Sequence, residues 1–500
     1  MALKTPEQYW ESLRRLKRRV FILGEEVAQP NDHPIIRPTT NAVAKTYELA
    51  QKPELAGLMT VKSPLTNETI NRFCHIQGSM EDMIKKVKML RLVGQQTATC
   101  FQRCAGLDCM NSLYSITWEA DKELGTEYHA RFLRFMKRIQ TEDLVCDAAM
   151  TDARGDRSKA PHEQADPDLF LHIVEQKQDG IVVRGAKAHQ TGALNSHEVV
   201  VMPTAAMKAG SEDYAVAFAV PADAEGITYI CGRQSCDTRK IEATKGDVGN
   251  PNYGGHEALI VFDNVFVPWE RVFMFRETAF TGRLVERFAS YHRTSYGGCK
   301  VGMGDVLIGA TAAIAEYIGV DKAAHVRDKL AEMTHMNETL HAGAIAASAD
   351  GYRLESGNYM VDLLLANTCK LNVTRLPWEI SRIAQDIAGG LLVTMPGECD
   401  FANPQTGPYL KKYLMGVSRV PVEEKVKILR LIENITMGTG AVGYLTESIH
   451  GAGSPQAQKI MIQRYGNWEG KKEMARQIAG ISEAPDGPGK REKGEPNGAK

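Results

Sequence analysis

Two cysteines in the first third of the chain have a spacing that suits metal binding. Cys100 and Cys104 are separated by three residues. If this stretch is helical, both thiols point from one face of the helix. Two thiolates on one face can bind one metal centre, although free cysteine is also a common core residue. By itself, the pair is only a weak indication of a site.

A second group of polar side chains lies much further along the chain. At spacings of four, three and one, its members are His292, Tyr296, Cys299 and Lys300. Glycine is costly inside a helix, so the embedded pair Gly297-Gly298 indicates that something approaches the backbone closely. Together with the first pair, this makes three cysteines and one histidine, which suit zinc or an iron–sulfur cluster with one non-thiolate ligand. Structural zinc sites usually use short pairs on small loops, so ligands on two distant helices favour a functional cluster.

Length and composition limit the classes of protein to consider. The 500 residues are enough for about three domains, and 43% hydrophobic and 24% charged residues are typical of a globular chain. A net charge of −1 argues against a dedicated nucleic-acid or polybasic membrane binder. The N-terminus lacks the apolar core of a secretory signal. The most apolar window, Val301–Val320, contains Asp305 and Glu316 and predicts a buried helix rather than a membrane span. We therefore expect a cytoplasmic protein whose ten cysteines are thiols, ligands or catalytic groups.

The order of predicted elements is helices, strands, helices. Thr5–Gln8 forms a capping box, and apolar residues then recur at helical spacing at Tyr9, Leu13, Leu16 and Val20. A second helix is predicted from about Glu81, and its apolar phase continues to Cys104.

The middle of the chain is β-rich. Strands are predicted at Leu169–Lys177, Ile181–Lys187, Tyr214–Val220, Ile227–Cys231 and Ala258–Phe262, and the first two flank an Asp179-Gly180 hairpin turn. Amphipathic helices are predicted around Val326–Ala344, Ile383–Leu392 and Val426–Ile435. The predicted domains are a helical domain (1–145), a small barrel or sandwich (146–276), a helical bundle (277–482) and a disordered tail (483–500).

No sequence motif identifies a nucleotide site directly. Gly302-x-Gly304 lacks the third glycine and does not follow a predicted strand. The turns Ala149–Asp152 and His189–Gly192 offer backbone amides and threonine hydroxyls that could bind a flavin edge. Gln385–Gly390 ends a predicted helix in two glycines, which suits either a C-cap or a close approach to a pyrophosphate.

Several motifs taken together resemble a known family. The element order and the segment Val261–Pro268 resemble the acyl-CoA dehydrogenase fold, an α+β fold, and more closely its 4-hydroxyphenylacetate 3-monooxygenase branch. Within that branch, five segments closely resemble the 4-hydroxybutyryl-CoA dehydratases: Cys100–Cys104, Ala149–Asp152, Gly185–Thr191, Tyr291–Lys300 and Thr446–Gln456. The resemblance covers residues 5–482.

The resemblance implies cofactors, partners and site residues. It implies a homotetramer with FAD and a [4Fe–4S] cluster in each subunit, an acyl-CoA substrate, and no nucleic-acid or membrane partner. The implied cluster ligands are Cys100, Cys104, His292 and Cys299. The implied FAD contacts are Ala149, Met150, Thr151, His189, Gln190, Thr191, Lys300 and, from a neighbouring subunit, the segment containing Gln385, Gly389 and Gly390. The implied catalytic groups are His292, Tyr296, Glu447, Glu257 and Gln102.

The implied activity is dehydration of 4-hydroxybutyryl-CoA to crotonyl-CoA, with isomerisation of vinylacetyl-CoA. The thioester acidifies C2 but not C3, so one-electron transfer from the enolate to flavin would be needed to acidify C3. The cluster would act as Lewis acid on the leaving hydroxyl. Two alternatives remain open at this point. One is a flavin-dependent aromatic monooxygenase without a cluster, and the other is a catalytically silent, zinc-stabilised acyl-CoA-binding protein.

Overall fold

The computed structural model describes residues 3–242 and 246–481. The predicted disordered tail, 483–500, lies outside the described residues. The strands are β1 (Arg19–Ile22), β2 (Glu25–Glu26), β3 (Thr60–Lys62), β4 (Thr69–Asn71), β5 (Cys146–Ala149), β6 (His172–Gln176), β7 (Gly180–Thr191), β8 (Glu198–Val201), β9 (Val216–Pro221), β10 (Ile227–Cys231), β11 (Glu257–Pro268), β12 (Val272–Phe275), β13 (Tyr352–Arg353) and β14 (Tyr359–Met360).

Helices precede and follow this β-rich segment, as the sequence predicts. They are α1 (Pro6–Arg14), α2 (Arg37–Ala50), α3 (Ala56–Met59), α4 (Met80–Thr97), α5 (Arg103–Leu124), α6 (Tyr128–Thr141), α7 (Thr278–Tyr317), α8 (Ala324–Ala349), α9 (Leu363–Val373), α10 (Leu376–Ala388), α11 (Leu391–Thr394), α12 (Glu398–Ala402), α13 (Gly407–Tyr413), α14 (Val422–Thr436), α15 (Thr439–Ala441), α16 (Glu447–His450), α17 (Pro455–Tyr465) and α18 (Trp468–Ile478).

The β-rich segment forms two stacked sheets. One has the order β2-β1-β10-β11-β7-β6 and the other the order β12-β9-β8-β5. A single core cluster takes Val183 and Ile260 from the first sheet and Val199 and Phe218 from the second, so the two sheets pack face to face. Among the described residues neither strand order returns on itself. The β-rich segment is therefore confirmed, whereas a closed β-barrel is not.

The second sheet is covered on both faces, which explains its composition. Each residue of β8 is buried, as are five of the six in β9. Val200 and Ala217 pack on the side away from the first sheet, against Phe132 and Phe135 of α6. A strand buried on both faces appears as a continuous apolar run rather than an alternating one. The predicted β6–β7 hairpin is also confirmed, with Ile173 paired to Val183.

The N-terminal segment differs from the prediction of continuous helix. The Thr5 capping box is present, but α1 ends at Arg14. The chain then turns, and Arg19–Ile22 forms β1, which pairs in parallel with β10. The prediction that Leu16 and Val20 continue the helix is therefore wrong. Val20 has instead packed into the core between the sheets, because tertiary contact with β10 outweighs a weak helical periodicity. The domain boundary predicted at 145/146 stays a prediction. Strands β1 and β2 of the first sheet come from the segment before that boundary.

The helical part is organised around α7. This helix has 40 residues and contacts α4, α5, α8, α9, α10 and α14. Among the described residues it is the one helix long and apolar enough to cross a membrane by length and composition, and 67% of its apolar window is buried inside the protein. That burial is typical of a core helix, as predicted for Val301–Val320. The predicted helices near Val326, Ile383 and Val426 are confirmed as α8, α10 and α14.

Glycines allow α4 and α7 to approach unusually closely. A Cβ placed on Gly302 would lie 2.2 Å from the Arg91 carbonyl oxygen, and one on Gly298 would lie 2.6 Å from that of Val87. On the α4 side, a Cβ on Gly94 would lie 2.7 Å from the Cys299 carbonyl oxygen. These distances are too short for any side chain. The close approach that Gly297-Gly298 predicts is therefore confirmed, and the approaching groups include the helix α4 backbone.

A glycine substitution tests this contact. Gly302→Ala should destabilise the apoprotein by about 1–3 kcal/mol, because the helices must separate to admit the methyl group. Gly309→Ala on the same helix is the matched control, since nothing lies within 4 Å of its Cβ position. This control should be neutral or stabilising by about 0.5–1 kcal/mol. Denaturant midpoints measure both, and equal effects of the two variants would contradict the close-packing argument.

Candidate functional site

Cys100 and Cys104 lie at a break between two helices. Helix α4 ends at Thr97, Ala98 has φ +51°, Gln102 has φ +68°, and α5 begins only at Arg103. The two cysteines therefore do not share one helical face, and that prediction is wrong. The reason is local: a left-handed residue at each end of the segment lifts Cys100 out of the helix, while Cys104 occupies the first turn of α5. Both side chains remain buried.

The second predicted group is positioned as expected. His292, Tyr296, Cys299 and Lys300 all lie on α7, and the last three are each less than 5% exposed. The helix is continuous through Gly297-Gly298. A Cβ on Gly297 would lie 2.3 Å from Ala344 Cβ of α8. The glycine pair therefore serves packing on both sides of α7, which continues as a helix through it.

The three thiols are close enough to influence one another. The Cys104 thiol hydrogen-bonds to Cys299, and this bond, with burial, raises the pKa of Cys104. The same bond lowers the pKa of Cys299. Burial, followed by the nearby Glu447 carboxylate, raises the pKa of Cys100. Among residues 3–242 and 246–481, no three His, Cys, Asp or Glu side chains converge on a point that would hold a single metal ion.

A fully buried charge pair holds His292. Lys86 Nζ and Asp108 Oδ1 are 2.5 Å apart, and both side chains have no exposed surface. His292 Nδ1 donates to Asp108 Oδ2 at 2.9 Å, and the Ser295 hydroxyl donates to the same oxygen at 2.8 Å. Burial opposes ionisation of Asp108, but Lys86 and His292 outweigh it and lower its pKa. With Nδ1 held in this way, Nε2 is the ring nitrogen available to a ligand.

A second buried charge pair joins α7 to the C-terminal part of the chain. Lys300 Nζ lies 2.6 Å from Glu447 Oε2 and also donates to the Gly443 carbonyl. Burial alone would lower the pKa of Lys300, but the Glu447 carboxylate outweighs it and raises the value. Gly443 belongs to a π-helical turn, Val442–Thr446. Such turns are frequent at functional sites because they re-aim neighbouring groups.

A second glutamate, Glu257, lies beside the Lys300–Glu447 pair. Thr191 Oγ1, at the end of β7, donates to Glu447 Oε1 at 3.3 Å. Glu257, at the start of β11, hydrogen-bonds to Glu447 and accepts from Gln234 Nε2 at 2.6 Å. Burial, with the Glu447 charge as a further cause, raises the pKa of Glu257 to about 7. A buried carboxyl whose pKa is raised toward neutrality, as that of Glu257 is, is suited to general acid–base chemistry.

Gln102 and Tyr296 complete the site. Gln102 Oε1 accepts from Asn195 Nδ2 at 2.7 Å. The Tyr296 ring lies 5.0 Å from Lys300 Nζ and 4.8 Å from Lys370 Nζ. A Cβ on Gly451 would lie 1.7 Å from Tyr296 Oη, so only glycine leaves room for the phenol. Burial raises the pKa of Tyr296 well above its usual value, which keeps it a proton donor.

The predicted flavin segments lie at the C-terminal ends of β5 and β7. Ala149 ends β5, the Met150 carbonyl accepts from buried Lys187, and the Thr151 carbonyl accepts from the Ala188 amide at 2.8 Å. His189 has φ +57° and is exposed, whereas Gln190 is buried. The left-handed backbone at His189 separates its side chain from that of Gln190. The next residue, Thr191, hydrogen-bonds to Glu447.

The structure does not bring every predicted residue to one place. Gln385 lies in the last turn of α10, where Gly389 has φ +75° and acts as the helix C-cap residue. Gly389 and Gly390 are exposed, and nothing lies within 4 Å of a Cβ on either. The C-cap interpretation is therefore correct for this chain, while the contact of this segment with a flavin stays a prediction.

Sequence reasoning missed Asp108 and Gln234. Asp108 lies four residues after Cys104 on a helix rich in apolar residues. An acidic residue at that spacing from a candidate ligand could have been found, since i and i+4 positions share a face. Gln234 lies in a loop, and no local pattern connects it with Glu257.

The raised pKa of Glu257 predicts a pH effect on stability. Between about pH 4.5 and 7 the folded state keeps a proton that the unfolded chain loses, so stability falls as pH rises. The loss is about 1.4 kcal/mol for each unit between the two pKa values. In Glu257→Gln, this part of the slope should disappear, as measured by thermal midpoints across that range. Replacing Glu355, which is exposed, with Gln should leave the slope unchanged, and an unaltered slope in Glu257→Gln would refute the assignment.

Two family models match the chain over almost its whole length. The model for the N-terminal part of 4-hydroxyphenylacetate 3-hydroxylase matches residues 5–274, and the model for its C-terminal part matches residues 281–480. The junction between the two models coincides with the start of α7.

Individual proteins are similar over the same length. The 4-hydroxybutyryl-CoA dehydratase/vinylacetyl-CoA-Delta-isomerase of Clostridium aminobutyricum is 57% identical over 488 residues, covering 96% of this chain and 100% of that protein. The 4-hydroxyphenylacetate 3-monooxygenase oxygenase component of Thermus thermophilus is 26% identical, covering 88% of this chain and 89% of that one. The chain is thus much more similar to the dehydratase than to the oxygenase.

Solved structures give the same ranking. An oxygen-tolerant archaeal 4-hydroxybutyryl-CoA dehydratase from N. maritimus superposes with a TM-score of 0.95 at 54% identity, covering 98% of each chain. The FAD complex of the oxygenase component of 4-hydroxyphenylacetate 3-monooxygenase superposes at 0.82 with 25% identity, covering 95% and 98%. A glutaryl-coenzyme A dehydrogenase, at 0.50 and 13% identity, shares the fold alone. The chain belongs to the 4-hydroxyphenylacetate 3-hydroxylase family, and within it to the 4-hydroxybutyryl-CoA dehydratases.

Proposed function

We propose that the protein is a lyase that dehydrates 4-hydroxybutyryl-CoA to crotonyl-CoA and also isomerises vinylacetyl-CoA to crotonyl-CoA. The observation that carries the proposal is the 57% identity, over almost the full chain, to a protein named for both activities. The arrangement of buried acid–base groups beside three thiols supports it. The monooxygenases of the family are much less similar, at 22–27% identity.

FAD is the first proposed cofactor. Members of the family with FAD bound superpose closely on this chain. Thr191, at the end of β7, and Lys300 both hydrogen-bond to Glu447, and the Thr151 carbonyl accepts from the Ala188 amide of the same strand. We assign the flavin to the surface that these groups form. His189 and Gln190 border it, and Gln385–Gly390 of a neighbouring subunit completes it.

The second proposed cofactor is a [4Fe–4S] cluster held by Cys100, Cys104, Cys299 and His292. The donor set fits: the three thiols are buried near one another, and His292 Nδ1 is held by a carboxylate. Metal-ligating histidines characteristically donate their second nitrogen to such a partner. A cluster spreads its ligands around a body of several atoms, so it does not require the convergence on one point that zinc requires. The zinc alternative is therefore less well supported.

In this mechanism the bound flavin would accept and return one electron, and the cluster would act as a Lewis acid on the leaving hydroxyl. The protein supplies the proton transfers. Glu257, whose pKa is raised to about 7, can exchange a proton near neutral pH beside Glu447, and Tyr296 offers a phenol proton. Lys300 holds Glu447 in place, and Gln102 is oriented by Asn195. His292 has two proposed roles: ligand at rest, and proton acceptor at Nε2 during turnover.

The proposed assembly is a cytoplasmic homotetramer without nucleic-acid or membrane partners. Large apolar side chains are exposed on α11 and α13, including Val393 at 66%, Tyr409 at 64% and Tyr413 at 70%. Exposed apolar surface of this kind is typical of protein interfaces. All ten cysteines are free thiols, as expected in a reducing compartment.

Anaerobic purification with cofactor analysis tests the proposal. We expect about four irons and four sulfides per subunit, stoichiometric flavin, and crotonyl-CoA formed from 4-hydroxybutyryl-CoA without an external electron donor. Oxygen-dependent hydroxylation of a phenol by an iron-free protein would instead support the monooxygenase alternative. Zinc without iron or flavin would support the silent binding protein.

The buried carboxylate beside His292 gives a sharper test of the cluster. Asp108→Asn combined with Lys86→Met removes both charges, so no unpaired ion is left buried. The double variant should lose iron to a chelator about 10–100-fold more readily. Ser295→Ala is the matched control, since it removes a different hydrogen bond to Asp108 and keeps the carboxylate. His292→Glu tests the dual role of the histidine, and full activity with an intact cluster would rule that role out.

A further inference from the structure

A groove of about 670 Å³ runs beside the N-terminal half of α7. Its volume is within the range of small-molecule sites. It is bounded by α17 on one side and by Met360 and Leu363 on the other. Four of its five charged lining residues are arginines: Arg283, Arg287, Arg293 and Arg464, against the single carboxylate of Glu286. In a chain of net charge −1, arginines thus outnumber carboxylates in the lining of this groove.

Three of the four guanidinium groups form hydrogen bonds to glutamate side chains. Arg287 Nη2 donates to Glu119 Oε1 of α5 at 2.5 Å, and Arg283 Nη1 donates to Glu123 Oε1 of α5 at 2.7 Å. Arg464 Nη1 donates to Glu286 Oε2 at 3.1 Å. Arg287 Nη1 is buried and has no hydrogen-bond partner among the described residues. The groove is therefore lined by arginines whose guanidinium groups are held in place, and a guanidinium can donate two parallel hydrogen bonds to phosphate oxygens.

The groove also has an apolar wall. Met461 and Ile460 of α17 face Leu363 and Met360, and Ile460 is 49% exposed. Apolar and sulfur-containing side chains suit an aromatic ring or an uncharged chain. A ligand that combines phosphates, a purine and an uncharged arm matches both surfaces.

The groove leads toward the candidate active site. Its α7 positions Gly282, Glu286, Ala289 and Arg293 follow one helical face, and Tyr296 is the next residue on that face. From Arg283 to Tyr296 the helix rises ~20 Å, a length of the order of the pantetheine diphosphate arm of coenzyme A. At the inner end, Arg293 Nε donates to the Ala452 carbonyl at 3.0 Å, directly beyond Gly451, over which Tyr296 Oη lies.

We propose that this groove binds the phosphates and adenosine of the coenzyme A thioester, with Arg283, Arg287 and Arg464 contacting the phosphates. The assignment rests on the proposed function for its substrate class. The acyl end then points along α7 toward Tyr296 and Glu447, and Arg293 supports the inner end of the groove through Asn367 and Ala452.

The experiment measures coenzyme A binding to the holoenzyme by calorimetry. In the Arg283→Gln/Arg464→Gln variant, both replaced side chains are substantially exposed, at 41% and 59%, so folding does not depend on them. We expect Kd for free coenzyme A to rise about tenfold or more. KM for the thioester should rise in parallel with little change in kcat, because these contacts are remote from the reacting atoms.

The matched control is Arg382→Gln/Arg419→Gln. These arginines are also exposed, at 63% and 65%, and ion-paired, with Glu379 and Glu316, but lie outside the groove. Their replacement should leave Kd unchanged. A Kd that is also unchanged in the groove variant would overturn the proposal. Loss of FAD from the groove variant with unchanged coenzyme A binding would also overturn it, and would assign the groove to the flavin nucleotide.

The same measurements separate this inference from the proposed function. If the wild-type protein binds coenzyme A through these arginines but forms no crotonyl-CoA, the groove assignment stands and the proposed reaction fails. If crotonyl-CoA forms and the groove variant binds coenzyme A normally, the reaction stands and the groove assignment fails.

Discussion

The close approach of helix α4 to helix α7 is the constraint on which the rest of the site depends. At Gly94, Gly298 and Gly302 there is no room for a side chain, because the backbone of the facing helix lies where the Cβ would be. Where α4 ends, Ala98 turns the chain out of the helix and leaves Cys100 beside the face of α7 that contains Cys299 and Lys300. A larger separation would move Cys100 and Cys104 away from Cys299.

Buried charge pairs then set the chemistry on either side of the thiols. Lys86–Asp108 orients His292, and Lys300–Glu447 connects α7 to the end of β7 and to Glu257. Buried ion pairs are costly to desolvate and contribute little net stability. Their presence at this site is therefore best explained by function: each pair fixes the position of a group that must bind a ligand or exchange a proton. The pKa of Glu257 is raised first by its burial and further by the neighbouring Glu447 carboxyl.

Local sequence patterns predicted several elements well. The β6–β7 hairpin followed from alternation around Asp179-Gly180, and α8 and α14 followed from helical periodicity, because these signals depend on neighbours in sequence. The same logic failed where a distant partner intervened. Val20 joined a strand because β10 was available beside it, and Cys100 left its predicted helix because two residues adopt left-handed backbone conformations that periodicity does not encode. The predicted barrel is found as two stacked sheets, since closure depends on how strands from separate parts of the chain pair.

The sequence by itself determined the family and, through motif resemblance, the residue types of the candidate site. Cysteines, a histidine and glutamates at characteristic positions carry chemistry that their identities alone imply. Only the tertiary structure decided what each one contacts. It assigned His292 Nδ1 to Asp108 and Glu447 to Lys300, it left Gly389-Gly390 on the surface, and it assembled four arginines from α7 and α17 along one groove. The physical reason is that hydrogen bonds, burial and charge proximity join residues more than a hundred positions apart, and no local pattern records those distances.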